Sequence, residues 1–566
     1  MNSMESEEKT TSQKPEVFVK NITFNDGNTF EFNKSDIVVF TGANNAGKSQ
    51  VLREILQDIE SSDKNLKMIL TKLESDFVGN VEELLSNMKK DNQGFYLIGH
   101  SHRIKENDIN YFWRKDTFST LSRYFINHLN TEQRLVSSNS PSSFDTIKEN
   151  PQHPIQYLYM DDEKEQELSS YFHQAFGIDL IVDRGAGNTI PLFVGKKPKL
   201  EQGEDRVSTS YRKRLTCLPQ LQNQGDGMRS FAGILLDTFT SHHTVTLIDE
   251  PEAFLHPPQA RLLGKMLAKN TQNKRQLFIS THSEDFLKGL LDADNENVKI
   301  IRINREENIN HMNILRNEDI KKLWKDPILR YSNILSGLFH SKVVICESDT
   351  DCRFYQAVMN SLYDEDGAIS PDILFTHCGG KKRLKTVIAA LKSLNVKIVT
   401  VADIDVLDNK NTFREITDSL NIEWTTLKSK WNVIDNYVKS QRAQLDTDEV
   451  KNKISQILEA VSINPFPKDE ADKIKKALKS STAWFKIKEV GKNFFGGESY
   501  TAFNDIDGIC RTNGLFIVPV GELECFYKPN ANHATKWVNE VLEKVNLKNE
   551  AELESARKFV KDIIGF

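Results

Sequence analysis

The first residues arranged for chemistry form a glycine-rich loop, GANNAGKS, at positions 42–49. The loop fits the pattern GxxxxGK[ST], follows the apolar run Ile37–Phe40 and precedes a helical pattern. Backbone N–H groups of such a loop, and the positive end of the helix after it, bind phosphate. We therefore predict an ATP site in which Lys48 reaches the β and γ phosphates and Ser49 binds Mg²⁺. The loop residues predicted to contact the nucleotide are Gly42, Asn44, Asn45, Ala46, Gly47, Lys48, Ser49 and Gln50.

A pair of acids supplies the other groups that this site needs. Asp249 and Glu250 come directly after the apolar run Val245–Ile248. A phosphate loop requires a carboxylate for its metal and a group that orients water. We predict that Asp249 holds Mg²⁺ and that Glu250 activates water.

A second acidic group occurs later in the chain. Glu347 ends the apolar run Val343–Cys346, and Asp403 and Asp405 follow the run Ile398–Val401. In an extended segment residues i and i+2 share a face, so these two aspartates are expected to project side by side. Converging carboxylates favour Mg²⁺ or Mn²⁺, and two such ions about 4 Å apart would stabilise the attacking and leaving oxygens of a phosphodiester displacement. The carboxylates predicted to bind these ions are Glu347, Asp351, Asp403, Asp405 and Glu524.

Two basic segments are candidates for contact with nucleic acid. Lys381, Lys382 and Arg383 follow a pair of glycines between the acidic strand ends. Residues 473–492 contain seven lysines and one acid, with aromatic residues interleaved. Lysines can follow phosphates while aromatics stack on bases, but a solvated helical face would have the same composition. The lysines of this second segment that we predict to bind DNA are Lys475, Lys476 and Lys479.

The elements that must position these residues belong to an α/β protein, because buried strand patterns alternate with helical ones. The 566 residues suffice for several domains, and the net charge of −6 confines any nucleic-acid surface to a local patch. The sequence lacks a run of ~20 apolar residues and an apolar signal segment, so we expect a cytoplasmic protein without membrane contact. The predicted organisation is a disordered tail at 1–15, a P-loop ATPase domain at 16–335 with a helical insertion at about 60–165, and a parallel-sheet domain at 336–566 with a helical insert at about 410–505.

The first half resembles ABC-type ATPases of the SMC kind in DEPE at 249–252, LHP at 255–257 and STHS at 280–283. The resemblance implies that two heads enclose ATP between them and that His282 contacts the γ-phosphate. It also assigns the segment 224–230 to the signature loop of that family, with Gly225 and Gly227 binding nucleotide.

The second half resembles Toprim domains, which carry Glu at one strand end and DxD at a later one. The two halves in one chain resemble the OLD (overcoming lysogenization defect) family, whose architecture Gabija nucleases and retron-associated effectors share. This implies an ATPase fused to a metal-dependent endonuclease, homodimers or larger homo-oligomers, and DNA cleavage or nicking in antiviral defence. It further implies a catalytic lysine after the last acid, either Lys528 or Lys536. Partners encoded beside such a protein would be a helicase or a reverse transcriptase with its DNA.

Two other functions fit the same residues. The chain could be an ATP-driven DNA clamp or sensor whose Toprim domain only binds, or a Toprim RNase acting on tRNA. Metal-dependent phosphodiester chemistry needs no 2′-hydroxyl, so the sequence leaves the choice between DNA and RNA open.

Overall fold

A computed structural model describes residues 15–60, 68–88, 90–91, 93–98, 102–114, 121–147, 149, 151–240, 242–270, 275–315, 324–325, 333–364, 368–441, 447–479, 483–528 and 535–566. The tail predicted at 1–15 lies outside these residues except for Pro15. The chain divides into two compact units, Met1–Trp324 and Lys325–Phe566. Every helix in the described ranges is too short or too polar to cross a membrane.

The first unit contains thirteen described strands and eleven described helices. Its strands are β1 (Glu16–Phe24), β2 (Thr29–Glu31), β3 (Ile37–Gly42), β4 (Leu70–Val78), β5 (Tyr96–Ile98), β6 (His102–Ile104), β7 (Ile126–Leu129), β8 (Asp179–Val182), β9 (Leu192–Gly195), β10 (Val245–Asp249), β11 (Gln276–Ser280), β12 (Val298–Glu306) and β13 (Ile309–Leu315). Its helices are α1 (Lys48–Glu60), α2 (Val81–Ser86), α3 (Glu106–Arg114), α4 (Ser122–Phe125), α5 (Thr131–Val136), α6 (Pro154–Met160), α7 (Asp162–Phe176), α8 (Thr209–Leu215), α9 (Asp226–Thr240), α10 (Pro257–Asn270) and α11 (Glu284–Leu291).

A six-stranded sheet in the order β13-β12-β3-β11-β10-β7 forms the centre of the first unit. All of its strands run parallel except β13, which pairs with β12 in the antiparallel sense. Every residue of β3 and β11 is buried, which explains their continuous apolar sequences. The carboxyl ends of β3, β10 and β11 therefore meet at one edge of the sheet, where the phosphate loop and the acids after β10 lie.

The segment at about 60–165, predicted to be a helical insertion, also contributes strands. In this segment β4 pairs with β1, and β7 adds to the central sheet beside β10. The strand β7 has only four residues, and its partner is distant in sequence, so no local pattern reveals it. Long-range pairing thus overrides the helical character of the surrounding sequence.

The second unit is built on four described strands, β14 (Lys342–Cys346), β15 (Ile373–His377), β16 (Lys397–Ala402) and β17 (Leu515–Ile517). Its described helices are α12 (Asp349–Leu362), α13 (Leu384–Ser393), α14 (Lys410–Ser419), α15 (Trp424–Ser440), α16 (Thr447–Glu459), α17 (Lys468–Lys479), α18 (Ala483–Val490), α19 (Glu498–Thr512), α20 (Thr535–Lys544) and α21 (Glu554–Gly565). The strands form one parallel sheet in the order β15-β14-β16-β17, and α14 to α19 lie between β16 and β17 in the chain. Because β14 and β16 are neighbours, the acids that follow them meet at the carboxyl edge of this sheet.

Candidate functional site

The phosphate loop has the backbone conformation that its glycines predict. Gly42 has φ +145° and Gly47 has φ +102°, in the region that favours glycine. A Cβ atom at Gly42 would lie 2.3 Å from the carbonyl oxygen of Ile303, so the fold excludes any side chain there. Asn44 and Asn45 are exposed at the tip of the loop, and Asn45 also has a positive φ of 61°.

An asparagine on β13 supports this loop from behind. The Asn310 side-chain amide donates to the carbonyl oxygen of Ala46 at 2.7 Å, and its backbone N–H donates to the Asn25 side chain at 3.1 Å. Asn310 is buried. Asn310 was not predicted from the sequence, because an asparagine on an edge strand has no distinctive pattern.

Lysine, serine and aspartate come together at the start of α1. The Lys48 ammonium donates to the carbonyl oxygens of Gly42 and Ala43, both at 2.8 Å. The Ser49 hydroxyl donates to the Asp249 carboxylate at 2.8 Å, so the two predicted Mg²⁺ ligands are adjacent. This arrangement fits a magnesium nucleotide, since a hydroxyl and a carboxylate oxygen are both ligands that Mg²⁺ accepts. Gln50, also predicted to contact the nucleotide, directs its amide to Glu54 at 2.9 Å.

The turn after β10 brings Glu250 to His282. Glu250 has φ +49°, a left-handed conformation that costs about 1–2 kcal/mol for a residue with a side chain. Its carboxylate Oε1 lies 3.4 Å from His282 Nε2. Burial, assisted by the Lys48 ammonium, lowers the pKa of His282, which favours the neutral imidazole.

The glycines assigned to a signature loop lie at the beginning of α9. Gly225 is exposed, and its carbonyl accepts hydrogen bonds from the backbone N–H groups of Met228 and Arg229. A Cβ atom at Gly227 would lie 2.8 Å from the carbonyl oxygen of Phe254, in the loop that follows Glu250. Gly227 thus allows α9 to pack closely against this loop.

Three acids of the second unit converge where the sequence predicts a metal site. Ligand oxygens of Glu347, Asp403 and Asp405 all lie within 4.8 Å of one another. The Asp403 backbone N–H donates to Glu347 Oε1 at 3.1 Å. The route to this geometry differs from the prediction: β16 ends at Ala402, and Asp405 lies on a 3₁₀ turn, Ile404–Leu407, instead of an extended strand.

The carboxyl groups of Glu347 and Asp403 repel each other and are poorly solvated. Burial and the neighbouring Asp405 raise the pKa of Glu347 to about 7. Burial and Glu347 raise the pKa of Asp403 well above its ordinary value. A divalent ion would offset this repulsion, and oxygen-only ligands suit Mg²⁺ or Mn²⁺.

Asp351 and Glu524, the other two predicted ligands, lie outside this trio. The Asp351 carboxylate accepts from the backbone N–H of Ser348 at 2.8 Å and caps α12. Burial raises the pKa of Asp351, and the negative charge of Glu524 adds to the effect. Asp351 and Glu524 therefore interact through their charges, and neither belongs to the three converging acids.

The basic turn after β15 contacts the same acids. The Lys381 ammonium lies 2.9 Å from the Asp405 carboxylate and also donates to its carbonyl oxygen at 3.1 Å. Lys382 and Arg383 are exposed beside it. The turn thus places one cation in the cluster and two at its surface.

A lysine that sequence reasoning missed, Lys488 on α18, also reaches the cluster. Its ammonium lies 3.0 Å from the Glu522 carboxylate and 3.5 Å from that of Asp405. Burial alone would lower the pKa of Lys488, but Asp405 and Glu522 outweigh burial and raise it. A Cβ atom at Gly521 would lie 2.0 Å from the Lys488 carbonyl oxygen, so the chain holds α18 firmly against the acid-bearing loop.

The two lysines predicted as catalytic occupy other positions. The Lys528 ammonium donates to the carbonyl oxygen of Glu489, and Lys536 is exposed on α20. Lys488 precedes the last acid in sequence and belongs to the segment predicted to bind DNA. In the sequence, the position of Lys488 within that basic segment was all that pointed to a function for it.

Two other lysines of the basic segment pair with acids within α17. Lys473 pairs with Glu470 at 2.7 Å, and Lys475 pairs with Asp472 at 3.0 Å. Both pairs are exposed and contribute little to stability. The side chains of Lys476 and Lys479, also predicted to bind DNA, lie outside the described residues.

Comparisons with known families match a segment of each unit. Residues 200–287 match a family model described as "AAA domain, putative AbiEii toxin, Type IV TA system". Residues 338–405 match the model of the "Overcoming lysogenization defect protein-like, TOPRIM domain". The "Old nuclease" of Escherichia phage P2 is 26% identical over 174 residues, which make up 30% of this chain and 28% of that protein. The predicted resemblance to the OLD family is confirmed.

The match to the phage OLD protein therefore spans less than a third of either chain.

Three solved structures are also similar to this chain. The SMC head bound to the C-winged helix domain of ScpA has a TM-score of 0.31 and 15% identity, covering 54% of this chain and 100% of that one. The SMC head domain from Thermotoga maritima has a TM-score of 0.29 and 9% identity, covering 54% and 100%. The ATP-binding cassette of an ABC transporter in its ADP conformation has a TM-score of 0.25 and 13% identity, covering 56% and 98%.

Proposed function

We propose that this protein is an ATP-regulated, Mg²⁺- or Mn²⁺-dependent endonuclease that cleaves or nicks DNA as a homodimer or larger homo-oligomer, in antiphage defence. The observation that carries the proposal is the convergence of Glu347, Asp403 and Asp405 within 4.8 Å at the edge of a Toprim sheet. Converging carboxylates repel one another, and a divalent cation bound by their oxygens would offset that repulsion. Phosphodiester cleavage is the chemistry that such an oxygen-ligand site performs best.

The acids and lysines described above in the second unit each have a role in this proposal. Glu347, Asp403 and Asp405 would hold one ion, and Asp351 with Glu524 would help to hold another. Bound ions of this kind polarise a phosphodiester and lower the pKa of water. Lys381 and Lys488 lie against Asp405. We assign them the role of stabilising the negative charge that builds up on the phosphate during cleavage.

The nucleotide site has a parallel set of roles. Lys48 would leave its loop carbonyls to bind the β and γ phosphates, and Ser49 and Asp249 would hold Mg²⁺. Glu250 would orient the attacking water, while the neutral imidazole of His282 would contact the γ-phosphate. The ABC-type sandwich of two heads, with Gly225 and Gly227 facing the partner's nucleotide, is part of the same proposal.

Cleavage of supercoiled plasmid with Mg²⁺ or Mn²⁺, with and without ATP, tests the proposal. We expect Glu347→Gln to lose at least ~100-fold of the cleavage rate while it still binds ATP. Asp349→Asn is a matched control, because Asp349 belongs to the same acidic run but pairs with Arg353 on the surface at 2.7 Å. Lys48→Ala would show whether nucleotide permits or restrains cleavage.

Cleavage of tRNA and binding of DNA, measured on the same proteins, distinguish the other functions. Cleavage of tRNA but not of plasmid would contradict a DNA nuclease and support an RNase. ATP-dependent DNA binding that Glu347→Gln leaves intact, without cleavage by the wild type, would support a clamp or sensor.

A further inference from the structure

A buried arginine on α5 lies against the turn that carries Glu250. Arg134 is fully buried. Its guanidinium donates through Nη1 to the carbonyl oxygen of Asp249 at 2.7 Å and through Nη2 to the Thr131 hydroxyl at 3.3 Å. Because α5 begins directly after β7, the neighbour of β10, Arg134 reaches the turn from the adjacent strand end.

The peptide unit between Asp249 and Glu250 is held on both sides. On one side, Arg134 donates to the carbonyl oxygen of Asp249. On the other side, the N–H of Glu250 donates to the carbonyl oxygen of Ser280 at 3.0 Å. A peptide unit is planar, so two such bonds on opposite sides fix its orientation. The carbonyl oxygen of Glu250, on the next peptide unit, accepts from the Ala253 N–H at 3.0 Å. With the peptide units on both sides of its Cα held in this way, Glu250 has φ +49° and its carboxylate lies 3.4 Å from His282. Without the bond from Arg134, the turn could relax toward an unstrained conformation and withdraw the carboxylate.

The helix α5 is itself fixed to α9. A Cβ atom at Gly233 would lie 2.0 Å from the Arg134 carbonyl oxygen, so the two backbones touch at a glycine. The Arg229 guanidinium donates to the Leu135 carbonyl oxygen at 3.2 Å. Arg134 therefore connects α9, which begins beside Gly225, to the catalytic turn.

We propose that Arg134 is a positioning residue for ATP hydrolysis, which holds Glu250 in its productive conformation and couples that conformation to the position of α9. The inference rests on the proposed ATPase function of the first unit. It assigns Arg134 no contact with the nucleotide, so its loss should affect the rate of hydrolysis and spare nucleotide affinity.

The test compares kcat for ATP hydrolysis with the Kd for a fluorescent ATP analogue in the full-length protein. We expect Arg134→Met to lower kcat by about 10- to 100-fold and to change Kd by less than about 3-fold, as misplacement of a catalytic group would. Arg134→Lys, which retains a charge and a donor, should recover part of the lost rate. Arg206→Met is the control for lost packing, because Arg206 pairs with the buried Glu165 elsewhere in the same unit, and it should leave kcat unchanged.

Three outcomes would overturn the inference. One is a folded Arg134→Met whose kcat stays within 2-fold of the wild type, and another is a parallel loss of kcat and affinity. If Arg134→Met does not fold, Arg134→Gln replaces it, because its shorter, uncharged side chain cannot keep the contact with the Asp249 carbonyl oxygen. A kcat for Arg134→Gln within 2-fold of the wild type would be the third outcome. A wild-type protein that binds ATP without hydrolysing it would refute the proposed ATPase itself, and Glu250→Gln, measured alongside, separates that failure from one confined to Arg134.

Discussion

Removing the charge of Glu347 should stabilise the metal-free protein above neutral pH. Burial and the charge of Asp405 raise the pKa of Glu347 from 4.5 to about 7, so folding disfavours its ionised form. At about 1.4 kcal/mol per pKa unit, the ionised carboxylate costs the folded state on the order of 3 kcal/mol. Glutamine has the same shape and can still accept from the Asp403 N–H, so Glu347→Gln removes the charge and keeps the hydrogen bond.

The sign of the effect sets the pH window of the experiment. Below about pH 4.5 Glu347 is protonated in both the folded and unfolded states, so the substitution should have little effect. The cost appears as pH rises from about 4.5 to 7, and at pH 8 it is present in full. We therefore expect the free energy of unfolding of Glu347→Gln to exceed that of the wild type by about 2–3 kcal/mol at pH 8 and by much less at pH 5.

Urea unfolding followed by tryptophan fluorescence suits this measurement. Four of the six tryptophans, Trp424, Trp431, Trp484 and Trp537, belong to the second unit. A divalent ion at 100 times its Kd should stabilise the wild type by about 2.7 kcal/mol and leave Glu347→Gln nearly unchanged. Equal unfolding curves for the two proteins at pH 8 without metal would refute the repulsion argued for this cluster, as would an equal response to metal.

Two further predictions follow from the contacts around each site. Lys488→Met should reduce metal-dependent cleavage by about 10- to 100-fold and weaken DNA binding measured in Ca²⁺, because its ammonium sits at the acidic cluster. Lys486→Met, on the exposed side of the same helix, is the control, and equal losses in both variants would contradict a specific role. Asn310→Ala should destabilise the first unit by about 1–2 kcal/mol and weaken binding of the ATP analogue, because the Ala46 carbonyl loses its donor. Unchanged thermal stability and affinity would show that the loop needs no such support.

The sequence predicted those parts of the fold that depend on local pattern. Buried parallel strands give continuous apolar runs, so β10, β11 and β14 appear close to their actual ends, and the acids after them could be placed at sheet edges. Lys488 and Arg134 were missed because each reaches its site through tertiary packing. Nothing local distinguishes Lys488 from Lys486, although one faces the acids and the other faces solvent.

The two sites satisfy their charges in different ways, and this difference has a thermodynamic consequence. The Asp249 carboxylate accepts hydrogen bonds from the hydroxyls of Ser49 and Ser280, and the Lys48 ammonium lies in the same site. In the second unit, Glu347 and Asp403 face each other with raised pKa values, and the Lys381 and Lys488 ammonium groups contact Asp405. At a pH high enough to ionise the first two acids, their repulsion thus persists until a cation binds. Divalent ions alone should therefore stabilise the second unit much more than the first, whose gain should require nucleotide as well.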